Sequence, residues 1–207
     1  MPPSADKRRA ILDGALGTFA RDGYTRASID AISAAAGVST RTIYNHFADK
    51  SHLFATVIEE SAGRVADAQL DLLDRHLRKV TDLEADLVAF ALAWLRSTTG
   101  FEDHFLLVRQ VNAEARHIPP AAIDAWQENG PRRVQRVLGE RLTELAERGL
   151  LRVPDPRRAA VHFMMLISAH NPSFRADRVP DSELDDLAAA GVHAFLYGYH
   201  PGNPPVG

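Results

Sequence analysis

The stretch from Ser28 to Phe47, SIDAISAAAGVSTRTIYNHF, limits what this chain can fold into more than any other. Ser28 is a preferred N-cap residue, and Ile29, Ile32 and Ala36 follow at helical spacing. Gly37 can take the left-handed conformation that ends a helix, and Val38 behind it is apolar enough to fill the corner. Ser39 is a second N-cap, opening a helix over Thr40–Phe47. There Ile43 and Phe47 face inward, while Thr40, Arg41, Thr42, Tyr44, Asn45 and His46 surround the outward side. Two short helices joined by a glycine-containing turn make a helix-turn-helix, whose second helix fits a DNA major groove. The outward residues suit that setting. Thr, Tyr, Arg and a helix N-terminus bond phosphate oxygens, and Arg, Asn and His reach base edges.

The N-terminal part resembles the TetR (TetR/AcrR) family of transcriptional regulators. The resemblance is carried by Ala15 and Phe19, Gly23-Tyr24-Thr25, Ile29-Asp30-Ala31-Ile32 and Ala36-Gly37-Val38-Ser39. It continues through Thr42-Ile43-Tyr44-Asn45-His46-Phe47, Lys50 and Leu53-Phe54. Only the first quarter of the chain is closely similar. Farther on, the helical layout remains, with pieces such as Ala113-Glu114-Ala115-Arg116 and Phe195-Leu196-Tyr197-Gly198-Tyr199. The resemblance implies an all-α fold. An N-terminal three-helix helix-turn-helix domain, residues 1–65, would precede a larger C-terminal helical ligand-binding and dimerisation domain, residues 66–207. It also implies DNA contact by Ser28, Ser39, Thr40, Arg41, Thr42, Tyr44, Asn45, His46 and Lys50. Lys50 stands in a helix's first turn, where a cation opposes the helix dipole, and the matching lysine of the family points at a phosphate.

Composition narrows the class without naming a function. With 45% hydrophobic and 25% charged residues, the chain has ordinary globular proportions. No apolar run approaches the ~20 residues of a membrane span, and MPPSADKRR lacks the apolar segment of a signal peptide. A cytoplasmic protein without a membrane partner is expected. The absence of cysteine excludes disulfides and thiolate chemistry. The net charge of −3 speaks against nucleic acid until its distribution is examined. Residues 1–50 carry Lys7, Arg8, Arg9, Arg21, Arg26, Arg41 and Lys50 against Asp6, Asp13, Asp22, Asp30 and Asp49. Positive charge therefore gathers where DNA would be met.

Along the chain, Met1–Ala5 reads as a short mobile arm, and Lys7, Arg8 and Arg9 open a first helix that Gly23 ends as a left-handed cap. Asp49 caps a long helix reaching towards Arg78. Asp82–Ser97 and Phe101–Arg116 are amphipathic helices. A further helix starts at Pro119-Pro120, is interrupted at Gly130-Pro131 and resumes to Gly149. Asp155-Pro156 opens a helix to about Ala169. After a loop over Asn171–Pro180, Asp181 or Ser182 caps a last helix ending near Tyr199, and PGNPPVG is expected to be disordered.

Phe90, Trp94, Phe101, Phe105, Trp126 and Phe163 are candidates to line a ligand cavity, or else are plain core. Arg109, Asn112 and His162, with His104 and His170, are candidates to orient a small hydrophobic ligand. Phe163, Ile167, Gly191, Ala194, Phe195 and Gly198 are candidates for a homodimer interface; in the family the two C-terminal helices form a four-helix interface. No enzyme motif such as HExxH, GxxxxGK[ST], GxSxG or GxGxxG occurs, and the histidines lack metal-ligand spacing. No cofactor or metal is implied. The reading that results is a homodimeric regulator of double-stranded DNA, released by a small apolar or amphipathic ligand. In the family, two recognition helices meet a near-palindromic operator roughly 34–36 Å apart. An activator, a ligand-independent DNA binder and a helical enzyme using the histidines stand as alternatives.

Overall fold

The structure, a computed structural model, describes residues 4–168, 171, 173 and 179–199. Among these, every regular element is helical. The α-helices are α1 (Ser4–Arg26), α2 (Ile29–Ala36), α3 (Thr40–His46), α4 (Lys50–Leu77), α5 (Leu83–Arg96), α6 (Glu102–Glu114), α7 (Pro120–Asn129), α8 (Pro131–Glu147), α9 (Pro156–Ile167) and α10 (Leu184–Tyr199). No helix among the described residues is long and apolar enough to cross a membrane. The chain divides into two compact units that do not follow chain order. One combines residues 1–65 with 101–131, and the other combines 66–100 with 132–207.

The first unit is therefore larger than the expected N-terminal domain. Leu107, Val108 and Val111 of α6 and Ala122 and Trp126 of α7 share one buried core with Ile11, Phe19, Ile32, Ile43, Phe54 and Ile58. The apolar stripe of α1 thus has two sets of partners, the helix-turn-helix and α6. Helix starts follow local chemistry: Ser28 Oγ accepts from the Ala31 N–H at 3.1 Å, and Asp49 Oδ1 from that of His52 at 2.8 Å. Gly14 lets α1 and α2 approach, since a Cβ there would lie 2.9 Å from the Ala36 nitrogen.

Two expectations for this unit change. Ser4 and Ala5, read as part of an arm, already belong to α1. Gly23 does have the expected positive φ, at 78°, but its ψ of 171° lies outside the left-handed helical region. Both angles together are open to glycine alone. Gly130-Pro131 separates α7 from α8 as expected. Gly130 is buried, and a Cβ on it would lie 3.0 Å from the Trp126 carbonyl oxygen.

In the second unit, α5, α8, α9 and α10 meet around Leu87, Phe90, Trp94, Leu138, Leu142, Phe163, Ile167, Val192 and Phe195, all buried. Phe90 stacks on Phe163 with centroids 6.0 Å apart, and Phe163 meets Phe195 at 4.8 Å. Asp82 and Asp155 cap α5 and α9 through the N–H groups of Ala85 and Arg158. α10 starts differently from expectation. A single 3-10 turn, Asp181–Glu183, precedes it, and no side chain among the described residues caps that turn. The expected tail PGNPPVG, His170 and most of the 171–180 loop lie outside the described residues.

Candidate nucleic-acid interface

α3 is too short to stand alone, so its geometry is set by what anchors it. Ile43 and Phe47 are buried in the core of the first unit. Ser39 Oγ accepts from the Thr42 N–H at 3.2 Å and lies 2.9 Å from Thr42 Oγ1, closing the N-terminal turn. Gly37, at φ 64° and ψ 33°, supplies the left-handed turn before it. With one face pinned, the other is presented to solvent: Tyr44 is 55% exposed, Arg41 and Asn45 are exposed, and Thr40, Thr42 and His46 are partly so. Ser28 and Ser39 use their hydroxyls as caps, and both remain exposed.

Lys50 has partners the sequence did not disclose. Its Nζ donates to the carbonyls of Thr25 at 3.3 Å and Ala27 at 3.1 Å, and sits 4.8 Å from the centre of the Tyr24 ring. The cation at the start of α4 is thus stabilised by two carbonyl dipoles and a ring face, which offsets its unfavourable place on the helix dipole. An ammonium has three N–H groups, so one is left for a further acceptor. Of the basic triplet, Arg8 is tied to Glu60 at 2.6 Å and lies over Phe47, and Arg9 pairs with Asp13 at 3.1 Å.

Residues 11–57 match the bacterial regulatory proteins of the tetR family. Residues 85–201, more than half of the chain, match the C-terminal domain of AefR-like transcriptional repressors. The chain belongs to the TetR family. An HTH-type transcriptional repressor of Mycobacterium tuberculosis is 42% identical over 62 residues, which are 30% of this chain and 33% of that protein. The HTH-type transcriptional regulator AcrR of Shigella flexneri is 39% identical over 66 residues, 32% of this chain and 31% of its own. The chain thus spans about a third of the length of these curated relatives. A TetR-family regulator from Mesorhizobium loti has a solved structure that matches over 96% of this chain and 99% of its own, with 30% identity and a TM-score of 0.83. The flavonoid-responsive regulator FrrA matches over 96% of this chain and all of its own, with 27% identity and a TM-score of 0.65.

The ligand candidates of this TetR-family chain fall into separate groups. Phe90, Trp94 and Phe163 are packed together in the core of the second unit, where Trp94 Nε1 donates to Ser168 Oγ at 2.8 Å. Phe105 and Trp126 are buried in the first unit, and Phe101 and Arg109 are partly exposed there. Asn112 and His162 are exposed, so the expectation that they orient a buried ligand is not met by their placement. A polar residue on an amphipathic helix can lie beside an apolar stripe yet point to water, and the sequence does not distinguish the two. The indole N–H of Trp126 is different: it is buried and has no hydrogen-bond partner among the described residues.

The first unit also holds a polar pair of which only His104 stands out in the sequence. His104 Nδ1 lies 2.9 Å from Ser61 Oγ, with both residues buried. Burial pushes the imidazole down to about 4, and the nearby positive charge of Arg64 adds to this, so the ring is neutral at pH 7. Ser61 interrupts the apolar stripe of Ile58 and Val65 on α4, a signal that could have found it. Among the described residues no three His, Asp or Glu side chains are placed to hold a metal ion.

The interface candidates of this TetR-family chain also separate. Phe163, Ile167, Gly191 and Phe195 are used inside the subunit. Gly191 packs against α9, where a Cβ would come within 2.9 Å of the Leu166 carbonyl oxygen. Its smallness serves the α9–α10 contact within one chain. Ala194 and Gly198 stay exposed, as do Met165 and Leu166 of α9 and Tyr197 of α10, at 54%, 40% and 74%.

Proposed function

We propose that this chain is a homodimeric DNA-binding transcriptional repressor, acting in the cytoplasm and released from its operator by a small hydrophobic or amphipathic ligand. The observation that carries the reading is the exposed polar face of α3, Thr40–His46, on a helix-turn-helix whose turn and caps are complete. Arg41, Thr42, Tyr44, Asn45 and His46 would meet bases and phosphates, with Ser28, Ser39, Thr40 and Lys50 on the flanking backbone. Dimerisation through α9 and α10 is supported by the exposed Met165, Leu166 and Tyr197, large apolar side chains on two neighbouring helices. A ligand is supported by the unpartnered Trp126 N–H, which favours an apolar molecule bearing a hydrogen-bond acceptor. The likeness to FrrA, a flavonoid-responsive regulator, agrees with such a ligand. A ligand that prefers the non-binding arrangement would lower operator affinity by its differential affinity for the two states.

The test is to select duplexes from a random-sequence pool with the purified protein and measure binding by fluorescence anisotropy. Tyr44→Ala is expected to weaken binding by about tenfold, with helix content and melting temperature nearly unchanged. A retained duplex that Tyr44→Ala and Arg41→Ala bind as tightly as wild type would remove α3 from the interface.

A further inference from the structure

The last residues of α1, beyond the kink at Gly23, are held from two sides. On one side Glu114, at the end of α6, accepts through Oε2 from both the N–H and the hydroxyl of Thr25, each at 2.8 Å. On the other, the Thr25 carbonyl accepts from Lys50 Nζ. Thr25 therefore links an anion to a cation, its own N–H turned to the carboxylate and its carbonyl to the ammonium. Gly23 makes the approach possible, because a Cβ there would collide with the Glu114 carboxylate and crowd Gln110. Thr25 is exposed and Glu114 partly so. Water competes for bonds so placed, and they add little to stability. What they do fix is direction. Thr25 and Ala27 supply both carbonyls that hold Lys50, and Ser28, one residue on, caps α2.

We infer that Glu114 is a positioning residue for DNA binding: through Thr25 it fixes the Lys50 ammonium at the edge of the helix-turn-helix, with one N–H free for a phosphate. The inference rests on the DNA-binding reading above. Without the carboxylate, the Thr25 carbonyl is no longer tied and Lys50 loses one of its two fixed acceptors. The end of α6 thereby acts on DNA affinity without touching DNA.

The experiment uses the full chain and a duplex selected by the wild-type protein from a random-sequence pool, titrated over a series of KCl concentrations. Glu114→Met is expected to lower affinity by about tenfold and the log–log salt slope by about one, as Lys50→Met does. The double variant should bind no more weakly than Lys50→Met alone. Glu114→Gln should recover most of the affinity, since its carboxamide oxygen can accept both Thr25 bonds. Amide hydrogen exchange over residues 24–28 should quicken in Glu114→Met and stay slow in Glu114→Gln, with thermal midpoints unchanged. Should Glu114→Met fold poorly, Thr25→Val removes the hydroxyl bond alone and should show a smaller loss of the same kind. Wild-type affinity and slope in Glu114→Met, or losses that add fully to those of Lys50→Met, would overturn the positioning role. Those outcomes leave the DNA-binding reading intact. A pool that yields no retained duplex refutes that reading and the positioning role together.

Discussion

Gly23 is fixed by its backbone angles and by its neighbour at once. A side chain at φ 78° and ψ 171° is strained in any surroundings, and here it also meets Glu114. Gly23→Ala is expected to cost about 1–3 kcal/mol or more, measured by urea unfolding; an unchanged midpoint would contradict this account. His104 gives a second residue-scale prediction, with the sign set by its lowered value. The unfolded chain binds a proton near pH 6.5, while the folded one resists until about 4. The neutral ring therefore costs nothing above pH 6.5, and stability falls as pH drops from 6.5 to 4. The loss is about 1.4 kcal/mol per pH unit, or roughly 3 kcal/mol in all. His104→Gln should flatten that limb of the stability curve relative to wild type, and equal slopes would refute the assignment. The positive φ of Gly23 was legible in the sequence, because a helix-ending Arg-Asp-Gly is a local signal. Its collision partner was not, since Glu114 is remote in sequence.

Helix boundaries were legible for the same local reason. Ser28, Ser39, Asp49, Asp82 and Asp155 act within three residues of themselves, so sequence alone could place them. α10 escaped that logic because it opens through a backbone 3-10 turn with no side-chain cap. Which face of α9 or α10 a residue serves was less legible. A small-residue stripe at Gly191, Ala194 and Gly198 suggests one contact surface, yet Gly191 turns to α9 while Ala194 and Gly198 remain exposed. The two glycines should therefore behave differently. Gly191→Trp drives a ring into the Leu166 backbone and should lower the melting temperature sharply. Gly198→Trp has open space around it and should leave the fold intact while shifting sedimentation towards monomer. Similar melting losses in both variants would show the two positions to be equivalent.

For the whole molecule, the ligand prediction distinguishes the two tryptophans. Trp94 has spent its N–H on Ser168, and Trp126 has not. A flat apolar compound carrying an acceptor should quench tryptophan fluorescence, raise thermal stability and lower DNA affinity. All three effects should follow one concentration dependence. Trp126→Phe should weaken that compound by about 1 kcal/mol and Trp94→Phe should not. Quenching that never alters DNA binding would refute the ligand-released reading. The all-α architecture was legible because helical periodicity and caps are local. The composition of the two units was not, because the pairing of α1 with α6 depends on shape at long range, which periodicity does not encode.

The discontinuity of the first unit also sets an order in time. Thr25 and Glu114 are separated by 89 positions, and a ribosome adds about 5–20 residues per second. After Thr25 has been made, roughly 4–18 s pass before Glu114 is added. Between the addition of Phe47 and that of Glu102, the nascent chain holds the whole helix-turn-helix sequence but none of α6 or α7. Apolar groups of α1 and α4 that those helices later cover are meanwhile open to water, chaperones and other chains. A capacity to recognise DNA that depends on this unit is completed only past the middle of synthesis, although the residues proposed to contact DNA are among the first to be made.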